Sequence, residues 1–398
     1  MEGRYDMIEV REVASKKDRK TFVNFPLKLY KGNPNYIPCF YAEEMKLFDK
    51  ETNIYSDYTD SHFFLAFKDG KPAGRLALII SYPYIEQSGL HHARFSRFDV
   101  IDDLEVTKAL FAAAFEIAKR YGIDHLQGPL GYNDQDKEGL LIYGFDQPAC
   151  YGGIYNYEYY SRHLEALGFT KQEDWLERKI TPPKQVDPKL AKMADLVEQR
   201  YKLRDAVKND TPAKEIVKRY GAKIFDLMNK ACAHLLGWVP LTPRVRDEML
   251  SSLGLIFDPR LISVIVDEKD NVVGFGVVFP CIWHAMNKCG GKLFPFGVFR
   301  LLHAVKHFDE VELALISVDP EWKNRGVYAL VVRRIMQNII DMGVKSVETN
   351  GTLETNFPIN NLWEQFEHVK HKRRRCYIAA IPGVEVRSEA EAAAAESV

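Results

Sequence analysis

The chain has no excess charge of either sign. Its 54 Lys and Arg residues meet 55 Asp and Glu residues over 398 positions, a formal net charge of -1. A balance that even gives no global field to gather nucleic acid or an anionic surface, so any anion recognition must be local. Cysteine is scarce and scattered, with six residues at 39, 150, 232, 281, 289 and 376 and no CxxC pair. That spacing argues against a disulfide framework or a zinc ribbon; Cys281, His284 and Cys289 are the nearest approach to a metal pattern and lack an obvious fourth ligand. No metal is expected. No uncharged run approaches the roughly 18 residues of a membrane span, and Arg4, Asp6 and Glu9 interrupt any leader-like segment at the start. A soluble, cytoplasmic chain without stable membrane insertion is the expectation. With 46% hydrophobic and 12% aromatic residues, the material for two buried cores is present.

Self-similarity organises the chain. The hairpin-like "FFLAFKDGKPAGRLALII" (63–80), turning at Asp-Gly, is echoed by "LISVIVDEKDNVVGFGVVF" (261–279), turning at Asp270-Asn271. The helix-stop-strand pattern "VTKALFAAAFEIAKRYGIDHLQGP" (106–129) returns as "VYALVVRRIMQNIIDMGVKSVETN" (327–350), with glycine stops at 122 and 343. Each half reads strand, helix, hairpin, strand, helix, strand, helix, strand. The expected fold class is α/β, with two tandem domains, each a mixed, mainly antiparallel twisted sheet carrying helices on both faces. The ranges drawn from the repeat are 1–180 and 201–383, joined by a linker helix within the proline-rich 181–200 and followed by a disordered Ala/Glu-rich tail, 384–398.

"SVDPEWKNRGVYALVVRR" (317–334) is the most informative stretch. An apolar strand ends at Pro320, and a short basic loop delivers the mouth of a helix. The first amides of a helix lack internal partners and carry partial positive charge, which suits phosphate. Gly326 clears the approach to the backbone, and Lys323 and Arg325 add full charges. The element order, the hairpin, "VDP" before the loop and the glycine after three polar residues resemble the GNAT superfamily of acyl-CoA-dependent N-acyltransferases. Its pyrophosphate signature, Arg/Gln-x-x-Gly-x-Gly/Ala, is matched in part by Lys323-Asn324-Arg325-Gly326-Val327-Tyr328, with Ala329 one place late.

That resemblance implies acyl-CoA, acetyl or longer, as co-substrate. It implies backbone contacts to the pantetheine arm at Ile316, Ser317 and Val318, in a slot between that strand and 345–350. Glu310 and Glu312, on one period-2 face at the start of the same strand, take the place of the family's general base. Asn356 fits the family's asparagine, and Trp363 stands where a general-acid tyrosine is common. Indole cannot usefully protonate a leaving thiolate, so that acid is absent there. In the first half Asp102, Asp103 and Glu105 crowd the matching helix start, which implies no coenzyme A there.

Two stretches bear on the acceptor. "GPLGYNDQDKEGLLIYGFDQPACYGGIYNYEYY" (128–160) follows a central strand and gathers tyrosines around acids. It reads either as a tyrosine-stapled long loop or as a pocket in which Asp134, Tyr151 and Tyr155 receive a substrate amine. "CIWHAMNKCGGKLFPFGVFRLLHAVKHF" (281–308) reads as a buried helix, a greasy wall for an acyl chain, or a membrane contact. The expected activity is N-acyl transfer from coenzyme A to a small-molecule or lipid-like amine. A Fem-type transferase using aminoacyl-tRNA and a non-catalytic acyl-CoA sensor stay open, as does a homodimer; DNA is not an expected partner. The basic run "HVKHKRRRCYIAAI" (368–381) reads as a charged strand edge, with RNA or the coenzyme A 3′-phosphate as its other uses.

Overall fold

The structure is a computed structural model that describes residues 7–150, 152–253 and 258–386. In chain order it contains β1 (Ile8–Glu12), α1 (Lys16–Leu29), α2 (Tyr41–Lys46), β2 (Thr59–Lys68), β3 (Lys71–Ser81), α3 (Tyr82–Ser88), β4 (His92–Val100), α4 (Leu104–Arg120), β5 (His125–Gly128), β6 (Leu140–Tyr143), α5 (Tyr159–Ala166) and β7 (Thr170–Ile180). There follow α6 (Pro188–Tyr201), β8 (Arg204–Asp205), α7 (Ala213–Cys232), α8 (Pro243–Leu253), β9 (Ile262–Val266), β10 (Val272–Pro280), α9 (Trp283–Cys289) and α10 (Gly297–Lys306). The last elements are β11 (Glu310–Val318), α11 (Val327–Asp341), β12 (Ser346–Thr349), β13 (Thr352–Leu353), α12 (Phe357–Trp363) and β14 (His368–Ala380).

The described residues form two compact units. One draws on Met1–Leu176, Met286–Gly297 and Lys372–Val398, the other on Glu177–Ala285 and Val298–His371. These units differ from the ranges drawn from the repeat. The chain end does not stay with the second repeat: β14 pairs antiparallel with β5 and β6, which places its later residues in the first unit. Nor is α6 a free linker. Its Ala194 and Val197 are buried in the second unit's core, and Arg333 of α11 is ion-paired to its Asp195 and Glu198. Residues 387–398 of the expected tail lie outside the described residues.

In the first unit β1, β2, β3 and β4 pair antiparallel in order, and β4 then runs parallel to β5. Asp69 and Gly70, both at positive φ, make the tight turn between β2 and β3. Alternation in β2 explains why helices cover both faces. Phe63, Leu65 and Phe67 join Phe22 of α1, while Phe64 and Ala66 join the α4 residues Val106, Leu110 and Phe111. Asp103 caps α4 by accepting from the amides of Glu105 and Val106.

The second unit repeats the plan. β9 and β10 form a hairpin, β10 pairs antiparallel with β11, β11 runs parallel to β12, and β12 pairs antiparallel with the end of β7. Gly274 and Gly276 are needed where α11 lies on β10. A Cβ on Gly276 would meet Val331 at 2.5 Å, and one on Gly274 would meet Val327 at 2.9 Å. The close approach buries Val327, Leu330, Val331 and Ile335 in one apolar face, and burial of each side chain is worth on the order of 2 kcal/mol.

Candidate active site in the second unit

β11 pairs with β10 from Val311 to Val318 but with β12 only from Glu310 to Leu313. Beyond the Leu313–Thr349 pair the two parallel strands part. Asn350 marks the branch by donating its Nδ2 to the Ala314 carbonyl at 3.2 Å. Leu313, Ala314, Leu315 and Ile316 are partly exposed although their strand is central, while Ser317 and Val318 are buried again. A gap therefore runs along the strand that carries Ile316, and backbone groups beyond Leu313 lack a β12 ladder.

The gap leads to the basic elbow. Asp319 caps a short turn at Pro320–Trp322 through the Glu321 amide, and Lys230 holds both acids at 2.9 Å. Asn324 and Gly326 take positive φ, 63° and 78°, which turns the chain sharply into α11. No side chain caps α11, and within its first turn the Ala329 amide donates to the Gly326 carbonyl. Lys323, Asn324 and Arg325 are exposed, and neither cation has an ion-pair partner among the described residues. The Arg325 guanidinium rests over Trp322 at 4.8 Å and Tyr201 at 5.8 Å, which fixes it beside the helix mouth. Val327 and Ala329 are buried as packing residues, and burial pushes the half-buried Tyr328 phenol up to about 12. An uncapped helix terminus flanked by unpaired cations is suited to a diphosphate.

One face of the sheet gathers carboxylates at the start of the gap. Glu310 and Glu312 share the period-2 face of β11, and Glu348 stands opposite Glu312 on β12. Burial pushes the Glu310 carboxyl up, but Lys179 Nζ at 3.0 Å and Ser346 Oγ at 3.1 Å hold it below the usual range. Glu312 is buried and accepts from the Cys281 thiol at 3.4 Å; burial and that acid raise the thiol well above its ordinary value. Glu348 Oε1 lies 2.7 Å from His371 Nε2, and Glu177 closes the group, all three within 4.8 Å. His371 Nδ1 is buried and has no partner among the described residues. Glu177, Glu348 and His371 escaped the sequence reading because they are far apart in the chain. His371 was also hidden in the basic run.

The opposite face carries donors. Asn356 begins α12 without capping it, and Asn360 fastens that turn to the Leu353, Glu354 and Asn356 carbonyls. Trp363 is buried in the core and its Nε1 finds no acceptor among the described residues. Arg178, only 1% exposed, offers Nη2 to Glu364 at 3.2 Å and leaves Nε and Nη1 without partners among those residues. Its amide donates to Thr349 Oγ1, at the level where the strands part.

In the first unit Asp103 is taken up by the α4 cap and by Lys68 at 2.6 Å, so that elbow is closed. Tyr155 donates to the Phe145 carbonyl, packs edge-on to Tyr30 and lines a cavity of about 50 Å³, room for a water or two. Asp134 is not among that cavity's lining; burial pushes its carboxyl up to about 6, with Arg94 opposing. Tyr151 lies outside the described residues.

The basic run is not an edge. β14 lies between β5 and β7. In the second unit Lys370 pairs with Glu364, and in the first Arg375 grips Asp174. Among the described residues, two groups have metal-ligand types close together, His92–Asp124–His125 and Glu177–Glu348–His371; Cys281, His284 and Cys289 are not among them.

The architecture is that of a tandem GNAT-like fold, with an uncapped elbow and a shortened β11–β12 ladder in its second unit. Over 95% of its length the chain superposes on all of a tandem GNAT protein from the clavulanic acid biosynthesis pathway, with a TM-score of 0.53 at 13% identity. It also matches a GCN5-related glucosamine N-acetyltransferase region of a fungal multi-domain GH3 β-N-acetylglucosaminidase, covering 94% of this chain and 38% of that one, with a TM-score of 0.55 at 12% identity. No family model matches the chain. Among curated proteins it is similar to Protein YghO of Escherichia coli, 28% identical across 92% of this chain and 94% of that protein. It is also similar to the bacterial ceramide synthase of Caulobacter vibrioides, 24% identical across 94% of this chain and 98% of that protein.

Proposed function

We propose that the chain is an N-acyltransferase that moves an acyl group from coenzyme A to the amine of a lipid-like acceptor, forming a ceramide-type amide. The parting of β11 from β12 beyond Leu313, next to the uncapped mouth of α11, is the observation that carries this reading. The diphosphate rests on the amides at Gly326, Val327 and Tyr328, with Lys323 and Arg325 beside it. The pantetheine arm runs along Ile316, Ser317 and Val318 and replaces the missing ladder bonds. The thioester then lies near Leu313 and Ala314, between the carboxylate face and the Arg178–Trp363 face.

The acceptor amine must be neutral to attack. Its nitrogen bonds to the thioester carbon, and its proton passes to the group built from Glu312, Glu348 and His371, directly or through water. Collapse of the tetrahedral species breaks the C–S bond and releases coenzyme A as thiolate. Rate comes from holding amine and thioester in line and from donors at the carbonyl oxygen. The ceramide synthase name borne by the Caulobacter relative supports a long-chain amine as acceptor.

The test is to mix the purified chain with palmitoyl-CoA and sphinganine, follow free thiol, and look for the amide by mass. Stoichiometric thiol and amide are expected. No turnover across short and long acyl-CoA donors and amines, with no calorimetric binding of coenzyme A, would remove the proposal.

A further inference from the structure

Residues 281–308 contain no Asp or Glu, yet they carry Lys288, Lys292, Arg300 and Lys306 in a chain of net charge -1. The segment is therefore a local cationic island. Its loop is pinned rather than loose. Asn287 donates to the Asn33 and Tyr36 carbonyls, and the Gly291 carbonyl accepts from the Tyr41 amide at 3.0 Å. A Cβ on Gly291 would sit 2.0 Å from the Cys39 carbonyl oxygen, and the Lys292 ammonium lies over the Tyr41 ring. α10 is held by buried Leu301.

From this anchored base, large apolar side chains face solvent. Phe294 and Phe296 are 82% and 70% exposed. Exposed aromatic residues held on fixed backbone mark an interaction surface. A two-fold contact between copies would set this segment's cations against the same cations, which disfavours a dimer through it. A bilayer offers the complement, with an apolar bed at the acyl boundary and anionic headgroups above it.

We propose that the segment 288–297 is an interfacial membrane-docking element. Phe294 and Phe296 enter the headgroup–acyl boundary, while Lys288 and Lys292 meet anionic headgroups. Docking would set the protein on the phase where long-chain substrates reside, but it does not depend on the transfer reading, because none of its residues belongs to the carboxylate group or the elbow.

The experiment is co-sedimentation of the full chain with phosphatidylcholine vesicles, pure or containing about a third phosphatidylglycerol. Binding is expected on the mixed vesicles, weaker on neutral ones, and falling when salt is raised about tenfold. The double variant Phe294→Ser, Phe296→Ser should lose about tenfold or more in bound fraction, with an unchanged melting curve. Phe357→Ser, an equally exposed site in α12, should bind like wild type. A wild-type chain that stays in the supernatant with anionic vesicles overturns the proposal. So does a double variant that binds normally, or one whose sole change is conversion of a dimer to a monomer.

Discussion

Glu312 and Glu348 stand opposite each other on parallel neighbours, and His371 lies 2.7 Å from the second of them. In the proposed reaction the proton of the attacking amine passes to this group. Glu310 differs, since Lys179 and Ser346 hold it ionised. Glu348→Gln and His371→Gln are therefore expected to lower kcat by about a hundredfold or more, with little change in KM for acyl-CoA. Glu310→Gln should stay within about threefold. Thiol release under saturating donor reads all three. Full activity in both Glu348→Gln and Glu312→Gln would show that the proton leaves elsewhere.

Arg325 has no ion pair among the described residues, so charge reversal there tests ligand binding with little effect on the fold. Arg325→Glu should weaken coenzyme A by about tenfold to a hundredfold in calorimetry and leave the melting temperature nearly unchanged. Gly326→Val separates the two effects. It places a side chain at φ 78° with a Cβ 2.9 Å from Val197, and should cost about 1–3 kcal/mol of stability. Equal coenzyme A affinity in Arg325→Glu and wild type would empty the elbow of its role.

The first unit supplies a control. Asp103 caps α4 and pairs with Lys68, and these interactions hold its carboxyl low against the opposing effect of burial. Its folded value lies below its unfolded one. The stability it contributes is therefore present above the unfolded value and is lost as pH falls through the folded one. Asp103→Ala should cost about 1–2 kcal/mol near neutral pH and less in acid, with coenzyme A binding untouched. Denaturation at two pH values checks it.

The contrast between Asp103 and Gly326 was legible in the sequence, because capping chemistry is local and each residue type declares its use within one turn. The hairpins at Asp69-Gly70 and Asp270-Asn271 and the doubled helix-stop-strand pattern were legible for the same reason. What was not legible depends on which strands become neighbours. Glu348 meets Glu312 only because β11 and β12 run parallel in that register. His371 joins them from a stretch whose alternation of inward and outward side chains reads, in one dimension, as a cationic run. The fate of β14 was hidden likewise, since a repeat shows where an element arises and not which sheet completes it.

Arg178 is a buried cation with two donors unfilled, an arrangement that costs stability unless a ligand answers it. Under the proposed function, the thioester oxygen or sulfur is the group that Nε and Nη1 would answer. Arg178→Met is expected to leave the melting temperature unchanged or raised while lowering acyl-CoA affinity by about tenfold. A fall in melting temperature with unaltered kinetics would mark Arg178 as structural.

Asp134 gives the opposite pH dependence from Asp103. Burial lifts its carboxyl from 3.8 to about 6, so the folded chain prefers it protonated. Between those values the folded state binds more protons than the unfolded state, and stability falls as pH rises through that window. Above about pH 6 the carboxylate is carried at a cost on the order of 2 kcal/mol, allowing for the partial exposure of the side chain. Asp134→Asn should therefore stabilise the protein at pH 8 by about that amount and change little at pH 4, in chemical denaturation at the two values. If Asp134 instead holds a substrate amine, the same variant should also raise KM for the acceptor while KM for acyl-CoA stays fixed. A variant that is more stable and kinetically silent assigns Asp134 to the tyrosine-stapled loop alone.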